Sequence, residues 1–123
     1  MDKEQFNRLY RMFDSLRGKW PAIYGRITNY SIMRDKEQKK ISKGVLMEQK
    51  NEFEELLDEA YAFLLECKNL VVKELAAFKG VNEKEMNTES KMELRTAKAQ
   101  MAMIGVMEKD RKTFVKVLDT VPA

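Results

Sequence analysis

The amino-acid sequence predicts an all-α fold, an elongated bundle of three to four helices, and three observations carry that expectation. Apolar residues recur at spacings of three and four along most of the 123-residue chain. Prolines stand only at 21 and 122 and glycines number five, too few breaks for the turns of an all-β protein. One periodic stretch, about 45–79, is too long for a compact globule. At 1.5 Å per residue it spans ~52 Å, against ~35 Å for the diameter of a compact chain of this length.

The first helix is expected over about 2–17, with Asp2 as N-cap, Gln5 three residues on, and an apolar stripe of Phe6, Leu9, Phe13 and Leu16. A break is expected between Arg17 and Pro21, because Trp20 precedes a proline and Pro21 suits the first turn of a new helix. The second helix, about 21–34, carries Ile23, Ile27 and Tyr30 at helical spacing. The segment 34–44 has one apolar residue, Ile41, and reads equally as a solvated helix or a loop.

The long central helix, about 45–79, follows from Leu46, Phe53, Leu57, Ala60, Leu64, Cys67, Val71 and Leu75, flanked by Leu56, Phe63 and Leu70. Gly80 is its natural C-cap. Ser90 with Glu93 forms a capping box that opens a last helix, about 91–119. The apolar band of the central helix is wider than a strict coiled-coil seam, and the last helix is apolar nearly all round near 97–107. Those bands exceed what the chain covers by itself, which predicts a homo-oligomer or a helical protein partner, with Leu56, Phe63, Leu70, Met101, Met103 and Met107 as interface candidates.

Composition limits the chemistry. At 44% hydrophobic and 35% charged, residues 1–123 read as a single folded domain. One cysteine, Cys67, and no histidine exclude a disulfide framework, a structural zinc site and any Ser-His or Cys-His nucleophile pair. No glycine-rich phosphate loop is present. The expectation is a non-enzymatic protein with no catalytic residues, no metal and no cofactor. The N-terminus lacks a signal-peptide pattern and no apolar run reaches the ~20 residues that span a bilayer, so a cytoplasmic protein without membrane contact is expected.

Net charge is only +3, but residues 1–50 carry twelve cations against six anions while 51–123 carry eleven against fourteen. The basic half holds a candidate surface for nucleic acid or another acidic partner: Arg17, Lys19, Arg26, Tyr30, Arg34, Lys36, Lys39, Lys40 and Lys43. On a helix, Arg26, Tyr30 and Arg34 form one strip at i, i+4 and i+8, and the lysines a second. The competing expectation is that these cations meet the chain's own acidic run, Glu52, Glu54, Glu55, Asp58, Glu59 and Glu66.

That acidic run is the one catalytic candidate, because Glu52 and Glu55, or Glu55 with Asp58 and Glu59, share a helical face suited to Mg²⁺. A Mg-dependent phosphate-ester hydrolase built this way needs a second pair. The later Glu83, Glu85, Glu89, Glu93 and Glu108 have no aspartate three residues on. The sequence therefore points first to an interaction and assembly protein that contacts nucleic acid as a secondary role. Nucleic-acid binding as the primary role comes second, and hydrolysis a distant third.

Overall fold

The structure, a computed structural model, describes residues 1–122. Three long α-helices form the fold: α1, Lys3–Ile32; α2, Lys36–Ala77; and α3, Thr88–Leu118, with one 3₁₀ turn, Glu83–Glu85, between the last two. No strand occurs among the described residues, so the all-α bundle expected from the periodicity is the observed fold. At 42 residues, α2 is ~63 Å long at 1.5 Å per residue, and the molecule is correspondingly elongated.

Each helix begins on a side-chain cap that satisfies otherwise orphaned backbone donors. Asp2 accepts from the Glu4 N–H at 3.2 Å, as expected. Asp35 accepts from Glu37 and Gln38 at 2.9 and 3.4 Å, which settles 36–44 as the first turns of α2 rather than a loop. The last helix starts earlier than Ser90 suggests. Asn87 accepts from the Ser90 N–H at 2.7 Å, placing Ser90 inside the helix; Asn caps as well as Ser and stands one turn nearer the preceding loop. At its other end α2 stops at Ala77, and Gly80 adopts φ +80°, the left-handed conformation that turns the chain toward α3.

The expected break before Pro21 does not form, and the two predicted N-terminal helices are one: α1 runs unbroken through the proline. An interior proline forfeits one helical hydrogen bond and crowds the preceding turn, at a cost of about 3 kcal/mol. Packing on both sides offsets it. Leu16 and Ile23 are buried, and the Trp20 ring lies 5.4 Å from Phe53 of α2 and 4.6 Å from Phe114 of α3. Phe53 and Phe114 meet edge-on at 5.4 Å, so one aromatic cluster ties the three helices together next to the proline.

The core extends in both directions from this cluster. Leu9, Phe13 and Leu16 of α1 meet Leu57, Ala60, Leu64 and Cys67 of α2 and Ala97, Ile104 and Met107 of α3, all nearly inaccessible to water. Each large apolar side chain buried this way contributes roughly 1.5–3 kcal/mol. The central helix packs along both others, whereas α1 and α3 meet over a shorter stretch.

Helix register positions the functional surfaces. Trp20 sits opposite Phe114, yet α3 ends four residues later at Leu118 while α1 continues for twelve, to Ile32. The difference of eight residues leaves ~12 Å of the α1–α2 hairpin beyond the end of α3. At the opposite pole Gln100 of α3 donates to the Met1 carbonyl at 3.4 Å, although α3 has begun twelve residues earlier at Thr88. There α2 and α3 run on without α1.

Candidate functional site

Two surfaces stand out, one at each pole. The first is the tip of the α1–α2 hairpin, residues 26–43, with six cations against Asp35 and Glu37. Arg26, Arg34, Lys36 and Lys40 are exposed and enter no ion pair among the described residues. Ile32 and Ile41 stand in the same segment, 70% and 71% exposed.

The predicted cation strips are only partly assembled. Because α1 ends at Ile32, Arg34 lies in the interhelical turn, and the expected alignment of Arg26, Tyr30 and Arg34 on one helical face is broken. Tyr30 is not a free platform: its ring packs against the core edge, and the Lys39 ammonium lies 5.8 Å from the ring centroid. The lysines 36, 39, 40 and 43 do share the first turns of α2. Lys43 is half-buried and engaged.

Arg17 is also committed within the molecule. Its guanidinium reaches Asp110 of α3, with Nε 2.7 Å from Oδ2, and clamps α1 to α3 beside the aromatic cluster. Lys19 is exposed and lines a small depression of about 250 Å³ with Glu52, Gln49 and Phe53. Two members of the acidic run meet α1 along its middle, Glu52 beside Lys19 and Glu59 in a groove with Arg8 and Arg11, while Glu54 pairs within α2 with Lys50 at 3.7 Å. Among the described residues no three carboxylate or thiol side chains converge on a point that would hold a metal ion.

The second surface is the open groove between α2 and α3 where α1 has not yet begun. It holds about 950 Å³ and is lined by Glu74, Ala77 and Phe78 of the α2 end and by Thr88, Glu89, Met92, Glu93 and Thr96 of α3, with Met1 closing it. Its charged lining is three carboxylates against the Met1 ammonium, which pairs with Glu74. Met92 is 63% exposed on its wall. Lys84 and Lys91 of the same pole line a separate depression with Arg95 and Lys98, and Lys98 pairs with Glu83 at 3.0 Å. Sequence reading missed this groove, because Glu74, Glu89 and Glu93 lie on two helices and only the tertiary register joins them.

The predicted apolar interface residues divide. Leu56, Leu70 and Met103 are exposed at 37–41%. Phe63 is half-buried under the Arg8 guanidinium, 4.8 Å from its ring centroid, and Met101 is half-buried against the core. Met107 is not an interface residue; it is buried in the protein's own core, because its side of α3 faces α1 and α2. Burial also governs Cys67: desolvation pushes the thiol above its ordinary range and Glu66 adds to the effect, while Arg8 and the N-terminal ammonium oppose it.

No helix of the described residues is long and apolar enough to cross a membrane. Comparison with family models, with curated proteins and with solved structures finds no match to this chain.

Proposed function

We propose that this is a non-enzymatic helical assembly protein, which works by self-association or by docking on a helical protein partner. One observation carries the proposal: at both poles two helices continue without a third, and each two-helix end leaves apolar side chains in water. Ile32 and Ile41 do so at one end, Met92 and the groove before Met1 at the other. Two-helix ends bury less apolar surface than three-helix sections, and burying the remainder favours association. Light scattering at tens of micromolar tests this. A mass above that of one 14.4 kDa chain, rising with concentration, supports it, and a strict monomer with no response to a helical partner removes it.

The unpaired cations of the hairpin tip favour a second role, contact with nucleic acid through Arg26, Arg34, Lys36 and Lys40. Such binding weakens steeply with salt, because each phosphate contacted releases counterions. Titration of a short oligonucleotide at two salt concentrations, with Arg26→Glu and Arg34→Glu alongside, is the test. Binding that is absent or indifferent to salt ends this second role.

A further inference from the structure

We infer that the hairpin tip of one copy docks in the α2–α3 groove of a second copy, so that the molecules join head to tail. This rests on the assembly function proposed above and names its geometry. The two surfaces are complementary in both charge and apolar character. The tip, residues 26–43, has net charge +4 with Ile32 and Ile41 exposed. The groove presents Glu89 and Glu93 around Phe78, Ala77 and Met92, while Glu74 is engaged by the Met1 ammonium.

The tip of one chain cannot reach its own groove. Lys40 in the tip and Glu74 in the groove lie on the one helix α2, 34 residues apart, which separates them by ~51 Å. At that distance exposed charges are screened several times over, since the Debye length is ~8 Å at physiological salt. Only another copy brings the two together.

The groove lies where α2 and α3 pack without α1 beside them, and Met1 forms one of its walls. Contact between two different patches leaves the outer tip and groove of the pair free, so growth continues as a filament unless the rotation closes a ring.

Charge exchange tests the inference on the full chain. The tip variant is Arg34→Glu with Lys36→Glu and Lys40→Glu; the groove variant is Glu89→Lys with Glu93→Lys. All five positions are exposed, and circular dichroism checks that each variant keeps the wild-type helix content. Sedimentation velocity reads association. Each variant alone is expected to associate roughly ten- to hundred-fold more weakly than wild type, since like charges now face each other. An equimolar mixture regains it, because each variant's tip again meets a groove of opposite charge. Wild type that associates while either variant associates equally well, or variants whose mixture stays dissociated, overturns head-to-tail docking and leaves the assembly function standing on another surface. A wild type that is monomeric throughout removes both. A monomeric wild type whose oligonucleotide binding is lost in the tip variant assigns the tip to nucleic acid instead.

Discussion

Replacing Pro21 with alanine probes the continuity of α1 directly. The residue is exposed, so the substitution leaves the aromatic cluster of Trp20, Phe53 and Phe114 and the buried Leu16 and Ile23 in place. What changes is the backbone: alanine restores an N–H able to donate within the helix and removes the ring that crowds the preceding turn. In a helix interior proline is about 3 kcal/mol less favourable than alanine. The helix has already relaxed around the ring, so a gain of roughly 1–3 kcal/mol is expected. For a chain of 123 residues the unfolding entropy places about 1 kcal/mol at ~4 °C of melting temperature. The expected rise is therefore roughly 4–12 °C, read by circular dichroism at 222 nm or calorimetry. An unchanged or lower melting temperature would mean that position 21 is a helix start, where proline is favourable, and that α1 is two helices.

Two further perturbations address the core. Leu64→Ala removes a fully buried side chain from the middle of α2 and is expected to cost roughly 2–5 kcal/mol in urea unfolding; a cost under ~1 kcal/mol would place Leu64 at the surface. Cys67 connects burial to pH. Its thiol ionises less readily folded than unfolded, so its contribution is whole below the ordinary thiol pKa and is lost as pH rises through that range. As pH rises above the ordinary thiol range the wild type should lose more stability than Cys67→Ala, and a thiol reagent should label the native protein only at the rate of unfolding. Identical pH slopes, or immediate labelling, would contradict the burial.

Much of the fold is legible in the sequence because hydrophobic periodicity records which faces are buried. Phe6, Leu9, Phe13 and Leu16, then Leu57, Ala60, Leu64 and Cys67, are core in the structure as their spacing requires. Pro21 was misleading for a physical reason: local proline rules describe an isolated helix, whereas here Leu16, Trp20 and Ile23 continue one stripe across it, and tertiary burial overrides the local penalty. Asn87 and Ser90 show the same limit at finer scale, two good caps three residues apart with the earlier one used.

The candidate surfaces were half visible. The lysines after Asp35 and the solitary Ile41 of 34–44 mark an exposed, basic segment from composition alone. Which cations stay available was not readable, because Arg17 is taken by Asp110 from a helix 93 residues away and Tyr30 is covered by Lys39. Those pairings, and the poles where the third helix is missing, depend on how far each helix slides past its neighbours. No single-chain periodicity encodes that slide.

The proposal that association covers the two poles is tested most directly by sedimentation velocity of the wild-type chain over a range of concentrations, in about 0.05 M and 0.5 M salt. Association through a basic tip and an acidic groove predicts a sedimentation coefficient that rises with concentration, a frictional ratio that rises with it as elongated molecules add end to end, and a smaller effect at high salt. A single monomeric species, independent of concentration and salt, contradicts the account.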